Sequence, residues 1–177
     1  MSKLETERLV LSPWLRKDAQ DLYAYAKNPN VGPHAGWKPH ADVRESRRII
    51  KTIFQPNQVW AIRDAKTGKA IGSIGFEPDK YRPGVSSREL GYSLSVDCWG
   101  RGLMTEAARE VIRYGFEVMG LEMICICTGP DNKRSQSVIR KCGFTFEGTL
   151  RKAYKIYDGT LRDVLCHSLL REEYYGD

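Results

Sequence analysis

Two glycines near the middle of the chain are placed where a phosphate group could bind. Gly100 and Gly102 belong to the run Trp99-Gly100-Arg101-Gly102, which separates an alternating segment from a helical one. Glycine allows a sharp turn and a close approach to a ligand, and the first turn of a helix leaves free N–H groups at its positive end. The pattern therefore indicates a phosphorylated ligand. A purely steric need for glycine between two elements explains the same pair without a ligand.

The segments on either side of these glycines have clear periods. Alternation over Glu89 to Val96 predicts a strand, whose apolar face carries Leu90, Tyr92, Leu94 and Val96. Downstream, apolar residues at helical spacings predict a helix with one apolar stripe: Ala108, Val111, Ile112, Gly115, Phe116 and Met119. The order is therefore strand, glycine turn and helix.

Two common phosphate motifs do not fit this turn. A dinucleotide fingerprint needs glycine or alanine at the position where the chain has Thr105. A P-loop ends in Gly-Lys followed by Ser or Thr, and the chain contains no such triplet. Both motifs are set aside.

A second polar group follows the glycine helix. Residues 124–127 predict a short strand, and the run from Asp131 to Ser137 opens another helix with Val138, Ile139 and Cys142 as its apolar positions. Asn132 or Asp131 would cap this helix, and Gly143 would end it before a strand that begins at Phe144. On its own, this pattern indicates capping and nothing more.

Length and composition predict one compact domain over residues 1–177. The chain has 177 residues, of which 41% are hydrophobic and 28% charged, as in ordinary globular proteins. No apolar run approaches the roughly 20 residues that cross a bilayer, and the first residues lack the apolar segment of a signal peptide. We therefore expect a cytoplasmic protein without a membrane partner.

The cysteines and histidines indicate neither disulfides nor a metal site. The five cysteines are odd in number and fall within predicted elements: Cys98, Cys125, Cys127, Cys142 and Cys166. The histidines are scattered, at positions 34, 40 and 167, so no pair has metal-ligand spacing. Packing or surface thiols are the expected roles, with Cys125 and Cys127 on one face of a strand.

The net charge of +6 suggests an acidic partner, which could be a phosphorylated ligand or RNA. Four basic residues recur along a predicted helix opposite an apolar face of Ile49, Ile50, Ile53 and Phe54; they are Arg44, Arg47, Arg48 and Lys51. That arrangement is typical of a solvated helix face. Because no RRM-type aromatic motif is present either, a nucleic-acid partner is not expected.

The remaining patterns complete an α/β map. Strands are predicted around residues 8–13, 59–63, 70–76, 144–156 and 161–170, and helices around 17–27 and 42–54. Turn-forming sequences predict hairpins at Ala65-Lys66-Thr67-Gly68 and at Tyr157-Asp158-Gly159-Thr160. The expected α/β (α+β) fold has a mostly antiparallel mixed sheet of about seven strands flanked by about four helices.

Taken in order, these segments resemble the GNAT superfamily of acetyl-CoA-dependent acyltransferases, and in particular the branch with ribosomal-protein N-terminal acetyltransferases of the RimJ and RimL kind. The landmarks span nearly the whole chain: Leu4 to Leu9, Gly72 to Phe76, Glu89 to Tyr92, Trp99 to Gly102, Thr105 to Ala107, Asn132-x-x-Ser135, Lys141 to Phe144, and Glu147-Gly148. Many members dimerise, so a homodimer is one expected state.

The resemblance implies a binding mode for acetyl-CoA. The strand residues Leu94, Ser95 and Val96 would pair by their backbone with the pantetheine arm. The amides that would hold the pyrophosphate belong to Arg101, Gly102, Leu103, Met104 and Thr105. Main-chain N–H groups and the positive helix end supply this affinity, so few particular side chains are needed. Met104 stands where the wider family usually has glycine or alanine.

The resemblance also implies catalytic roles. Ser135 matches a serine placed near the coenzyme sulfur, where it would donate a proton to the departing thiolate, and Asn132 would bind the coenzyme or orient Ser135. Glu89 lies where several members carry a carboxylate, which makes it a candidate base. Tyr154 takes the place of another proposed carboxylate, and a tyrosine relays a proton only if its pKa is lowered. The backbone N–H of Leu94 would stabilise the oxyanion.

Acceptor recognition is expected in the least patterned segments. Residues 30–40, rich in glycine, proline and aromatic residues, connect the first two helices, and loops of this kind often shape sites. Trp37 and Tyr154 are candidate walls of the acceptor pocket, and packing against the core is the alternative role for each. The run Tyr81-Arg82-Pro83-Gly84 is a further candidate rim.

The leading hypothesis is an N-acetyltransferase in which a primary amine attacks the acetyl-CoA thioester directly. The acceptor would be a protein N-terminal α-amine, or otherwise a polyamine, an amino acid or an antibiotic. One alternative is a non-catalytic acyl-CoA sensor or assembly module. Another is a basic RNA- or ribosome-binding domain that uses the fold without acetyl-CoA.

Overall fold

A computed structural model describes residues 1–176, in which eight strands and five α-helices alternate. The strands are β1 (Leu4–Glu5), β2 (Leu9–Pro13), β3 (Trp60–Asp64), β4 (Ala70–Pro78), β5 (Ser87–Leu94), β6 (Met123–Thr128), β7 (Thr145–Lys155) and β8 (Leu161–Leu170). The α-helices are α1 (Ala19–Ala26), α2 (Val43–Ile49), α3 (Leu103–Arg113), α4 (Lys133–Lys141) and α5 (Arg171–Tyr175).

All strands belong to one sheet in the order β1-β2-β3-β4-β5-β6-β8-β7. Every neighbouring pair is antiparallel except β5 and β6, which confirms the mixed, mostly antiparallel sheet. The two elements beyond the predicted numbers are β1, with two residues, and α5, with five. Segments this short contain too few residues to display a hydrophobic period.

The parallel pair β5–β6 is joined only at one end. Ser87, Arg88 and Glu89 pair with Met123, Ile124 and Cys125. Beyond that point β5 continues along β4 as far as Leu94, whereas β6 continues along β8 as far as Thr128. The two strands therefore part, and an opening lies between them in the middle of the sheet.

Helices pack on both faces of the sheet, as the alternation of β3 shows. Trp60 and Ile62 belong to the core cluster that includes α3, whereas Ala61 belongs to the cluster around α1. In the stripe predicted for α3 and its extension, all residues but Met119 are buried. Met119 is 40% exposed because the helix ends there, just before Gly120 with φ +68°. The α3 stripe packs the helix against β4 and β2, which also fixes the glycine turn that precedes it.

Two predicted boundaries differ from the structure near the opening. The strand predicted to reach Val96 ends at Leu94, and residues 96–98 form a 3-10 turn. The Ser95 N–H donates to the carbonyl of Ile71 at 2.8 Å, so the chain leaves the strand while still held by β4. The predicted helices of residues 42–54 and 108–119 each end in one π-helical turn, at Ile50–Phe54 and Tyr114–Val118.

Both predicted hairpin turns are present. In the turn after β3, Asp64 Oδ1 accepts the N–H groups of Lys66 at 3.1 Å and Thr67 at 2.9 Å. In the turn after β7, Asp158 Oδ1 accepts the Thr160 N–H at 2.8 Å. Among residues 1–176 none of the helices has the length and apolar character required to cross a membrane.

Candidate active site

The opening between β5 and β6 exposes backbone groups of β5. Because Ser95 bonds to Ile71 on β4, antiparallel alternation directs the N–H groups of Tyr92 and Leu94 the other way, into the opening. The Leu94 carbonyl accepts the indole N–H of Trp99 at 3.0 Å. The Leu94 N–H, the predicted oxyanion donor, thus points into the opening from the last residue of the strand.

The glycine turn lies at the end of this opening and has the conformation that glycine favours. Gly100 has φ +74° and Gly102 has φ +77°. A Cβ atom added to Gly100 would meet nothing within 4 Å, so the turn borders open space. Gly102 is the N-cap of α3, and because it has no side chain, the N–H groups of the first turn are left for an external acceptor. The turn fits a phosphate group.

Side chains of the predicted pyrophosphate segment do not obstruct this turn. Leu103 is 3% exposed and Met104 7% exposed, because both side chains pack in the core. Arg101 is exposed, and Thr105 is half-buried. The unusual Met104 therefore presents its backbone to the turn while its side chain faces inward.

A charge cluster that sequence reasoning missed supports the start of α3. Glu106 accepts hydrogen bonds from Thr6 Oγ1 at 2.6 Å and from Arg8 Nε at 2.6 Å, and Arg8 Nη1 donates to the Arg101 carbonyl at 2.9 Å. Burial raises the pKa of Glu106, but these hydrogen bonds outweigh it and hold the pKa below its ordinary value. Arg8 thus compensates a carboxylate that would otherwise repel an anion at the helix start.

A second contact that the sequence did not reveal joins the glycine turn to α4. The guanidinium carbon of Arg134 lies 4.2 Å from the centroid of the Trp99 ring, a cation–π geometry. Trp99 is also bonded to Leu94, so one indole ties together the end of β5, the turn and the first turn of α4. Arg134 is exposed, which leaves a cation beside the turn.

Ser135 and Tyr92 meet across the opening. Asn132 caps α4 by accepting the Ser135 N–H at 3.2 Å, which matches the capping predicted for it. The Ser135 hydroxyl lies 2.9 Å from the phenol oxygen of Tyr92 on β5. Burial raises the pKa of Tyr92 above its ordinary value, so the phenol is neutral at physiological pH. The alternation of the strand predicts Tyr92 on its apolar face, and in the sequence only the phenol hydroxyl indicates that this residue could have a polar role.

Glu89 lies on the opposite face of β5 from this hydroxyl pair, as alternation requires. Burial raises the pKa of Glu89, and the like charges of Glu77 and Asp79 raise it further, against an opposing effect of Lys80. A carboxylate with a raised pKa suits a general base. The opening therefore has a candidate base on one face and a hydroxyl pair on the other.

The two predicted acceptor residues have different surroundings. Trp37 packs over Gly32, and its ring centroid lies 5.2 Å from that of His40, within the α1 cluster. Tyr154 packs over Gly36, and its hydroxyl donates to the Ala35 carbonyl at 3.2 Å. These contacts favour the packing role for Trp37 and make Tyr154 a tie between β7 and the loop of residues 32–36.

The surroundings of Tyr154 raise its pKa and do not lower it. Burial raises its pKa, and the charges of Glu77 and Glu89 raise it further, against an opposing effect of Arg162. A relay would need a lowered pKa. The same charges show that Tyr154 lies on the side of the sheet that carries Glu89.

Residues 1–176 contain no cluster of three or more His, Cys, Asp or Glu side chains that could hold a metal ion. The five cysteines are all free thiols in this structure.

The chain is similar to known proteins over most of its length. The family model of the acetyltransferase (GNAT) domain matches residues 8–145. The uncharacterized N-acetyltransferase p20 of Bacillus licheniformis is 34% identical over 182 residues, which cover 99% of this chain and 100% of that protein. The ribosomal protein uS5 alanine N-acetyltransferase of Escherichia coli is 30% identical over 174 residues, which cover 91% of this chain and 87% of that enzyme.

The fold is shared with solved structures. A GNAT-family acetyltransferase from Bacillus anthracis matches with a TM-score of 0.86 at 22% identity, over 97% of this chain and 100% of that one. Acetyltransferases of this family take the acetyl group from acetyl-CoA. The chain belongs to the GNAT family, as an N-acetyltransferase related to the ribosomal-protein-alanine acetyltransferases.

Proposed function

We propose that this N-acetyltransferase acts on a protein N-terminal α-amine, and that the transfer takes place in the opening between β5 and β6. The observation that carries the proposal is the placement of Glu89 and of the Ser135–Tyr92 pair on opposite faces of β5 at that opening. The Escherichia coli relative, whose name specifies an alanine of a ribosomal protein, supports this class of acceptor.

The donor side is built mainly from backbone. Acetyl-CoA, when bound, supplies an acetyl group activated as a thioester. The backbone of Leu94 and its neighbours Ser95 and Val96 would hold the pantetheine arm and the thioester. Because the Ser95 N–H is already bonded to Ile71, the Leu94 N–H is the donor left for the acetyl oxygen. The amides from Arg101 through Leu103 and Met104 to Thr105 would hold the pyrophosphate at the N-terminus of α3, with Gly102 as the central residue.

On the acceptor side, Glu89 removes a proton from the amine, directly or through a water molecule. The raised pKa of Glu89 brings it closer to that of an α-amino group, which is ordinarily about 7.7–8.0. Only the neutral amine is a nucleophile, so this proton must leave before or during attack. Tyr154 serves this side as a pocket wall.

On the donor side, Ser135 and Tyr92 stabilise the departing sulfur. A thiol has an ordinary pKa of about 8.5, below that of the Tyr92 phenol, so complete proton transfer from the phenol to the thiolate is unfavourable. A hydrogen bond from Ser135 to the sulfur, with Tyr92 orienting the serine hydroxyl, avoids that cost. The Leu94 N–H stabilises the charge that develops on the acetyl oxygen.

The first experiment measures donor binding. Calorimetric titration of acetyl-CoA should give micromolar affinity for the wild-type protein and an affinity at least about 100-fold lower for Gly102→Glu, which places a carboxylate in the phosphate turn. Gly68→Glu is the matched control for backbone strain, because Gly68 also has a positive φ, +71°, but lies in the β3–β4 hairpin; a Cβ atom at Gly102 would in addition lie 3.6 Å from Nη2 of Arg8. Equal loss in both variants would point to backbone strain and contradict the assigned turn.

The second experiment identifies the acceptor class. Transfer of labelled acetyl to peptides with free N-termini is compared with transfer to spermidine, to free amino acids and to an aminoglycoside. Transfer to the peptides is expected. Preferred transfer to one of the small amines would show that the acceptor is that class of small molecule and not a protein N-terminus. Acetyl-CoA binding without transfer to any amine would support a non-catalytic sensor instead.

A further inference from the structure

A cavity of about 270 Å³ lies on the side of the sheet that carries Glu89. Its walls include Tyr81, Cys125, Cys127, Cys166, Gly148 and Leu150. The cavity is partly open to solvent, and its volume is large enough for one compact organic group.

Strand register places this cavity next to the candidate base. Glu89 on β5 is aligned with Cys125 on β6, Cys127 with Cys166 on β8, and Cys166 with Gly148 on β7. Residues aligned on neighbouring strands point to the same face. A row of side chains therefore runs from Glu89 across the thiols to Gly148.

The floor of this row is uncharged. The Cys127 thiol donates to the Cys166 sulfur at 3.2 Å, and the Cys125 thiol donates to the Arg88 carbonyl at 3.5 Å. Burial raises the pKa of Cys125 and Cys127, so both remain protonated at physiological pH. Sulfur is polarisable and only weakly polar, which favours contact with apolar groups.

The charges at the rim compensate one another. Arg82 forms ion pairs with Glu147 and with Asp79, the latter at 3.2 Å, and Asp79 also accepts the Ser87 hydroxyl at 2.9 Å. Since the charges of Arg82, Glu147 and Asp79 are already paired with one another, they offer an entering charged group little in return for its lost hydration. The cavity therefore favours an uncharged occupant.

Gly148 gives the cavity its depth. A Cβ atom added at Gly148 would meet nothing within 4 Å, so the space beside Cys166 is open. Cys166 is half-buried and has a short side chain. A larger side chain at position 166 would project into this space and would also contact the Cys127 thiol, which lies 3.2 Å from the Cys166 sulfur.

We infer that this cavity is the side-group pocket of the amine acceptor, and that Cys166 and Gly148 set the size of the group it admits. The inference rests on the proposed function. With its amine at Glu89, the acceptor places the uncharged, compact group of the adjoining carbon over the thiol floor. In an N-terminal acceptor that group is the side chain of the first residue.

The test uses peptides that differ only in their first residue, which is glycine, alanine, valine, leucine, aspartate or lysine. The wild-type protein should acetylate the uncharged series and discriminate against aspartate and lysine. Cys166→Leu should lower kcat/KM for the valine and leucine peptides by at least about tenfold relative to the glycine peptide, because it fills the pocket. Cys166→Ala should shift the preference towards leucine.

Cys166→Ser is the matched control, since it keeps the size of the side chain while it removes the thiol; its size preference should remain that of the wild type. Acetyl-CoA affinity and thermal unfolding verify that each variant is folded with an intact donor site. If both Cys166→Ala and Cys166→Leu keep the wild-type preference among the peptides, the inference about the pocket is wrong, while the proposed function still stands. Failure of the wild-type protein to acetylate any peptide would overturn the proposed function, and the inference with it.

Discussion

The donor end and the acceptor end of the opening are built by different means. At the donor end, two glycines and the first turn of α3 present backbone N–H groups, and the neighbouring side chains of Leu103 and Met104 face the core. At the proposed acceptor end, residues of the β4–β5 loop and of β6, β7 and β8 line the cavity. Backbone recognition tolerates sequence change, whereas a pocket lined by side chains changes with each substitution. Single substitutions at the proposed acceptor end should therefore change substrate preference more than those at the donor end change acetyl-CoA affinity.

The largest effect is expected at Glu89. Glu89→Gln removes the base but keeps its size, and kcat/KM should fall by about 10²–10⁴-fold, the range typical of general acid–base catalysis. Acetyl-CoA affinity should change little, because Glu89 lies on the face opposite the Ser135–Tyr92 pair.

The pH profile provides the control for this substitution. The raised pKa of Glu89 places the acidic limb of the wild-type kcat/KM profile above the ordinary pKa of glutamate, so activity is lost as pH falls through that raised pKa. Glu89→Gln should abolish this limb and leave only the ionisation of the acceptor amine. A second acidic limb that persists in the variant, in addition to that of the acceptor amine, would assign the base elsewhere.

A smaller effect is expected on the donor side of β5. Ser135→Ala should lower kcat by about 10- to 150-fold, which corresponds to losing a hydrogen bond of about 1.5–3 kcal/mol to a charged group. The acetyl-CoA dissociation constant should change less than kcat. Tyr92→Phe tests whether the phenol acts through the serine.

Because Ser135 and Tyr92 are in contact, the double variant should lose less than the product of the two single losses. Single-turnover acetyl transfer measures the chemical step in all three variants. Fully multiplicative losses would show that the two hydroxyl groups act independently, and an unchanged kcat in Ser135→Ala would remove the serine from the mechanism.

The smallest effect is expected at Tyr154. Tyr154→Phe removes the hydrogen bond to the Ala35 carbonyl, which should raise the KM of the acceptor by about 2- to 12-fold for a loss of about 0.5–1.5 kcal/mol. Tyr157→Phe is a matched control in the same hairpin, where the side chain is 49% exposed. Initial rates at saturating acetyl-CoA measure both. A lower kcat with unchanged KM would restore Tyr154 as a proton relay.

Prediction from the sequence succeeded where local patterns determine the structure. The α3 stripe, the alternation of β5, the two hairpin turns and the cap at Asn132 all depend on residues close in sequence, and all are present. The predictions failed for two kinds of feature, namely very short elements such as β1 and α5, and features that depend on residues far apart in the sequence. Val96 continues the alternation, yet the strand ends at Leu94, because the chain must turn into the glycine segment.

The parts of the site that were missed join residues far apart in the chain. Arg8 meets Glu106, Tyr92 meets Ser135, and Cys127 meets Cys166, each through the pairing of distant strands and helices. No period or spacing within one segment carries that information. The thiols were recognised as sharing a face, but the cavity above them depends on the register of β6, β8 and β7.

The short pairing of β5 with β6 has a mechanical consequence. Only three aligned pairs, from Ser87–Met123 to Glu89–Cys125, join the half-sheet β1–β5 to the half-sheet β6, β8 and β7. Acetyl-CoA bound along the free edge of β5 would connect the two half-sheets, because the amides of its pantetheine arm would form hydrogen bonds where the pairing of β5 with β6 has ended. Binding of acetyl-CoA would then also hold the two half-sheets together. A free acetyl-CoA concentration ten times its dissociation constant would raise the free energy of unfolding by about 1.4 kcal/mol.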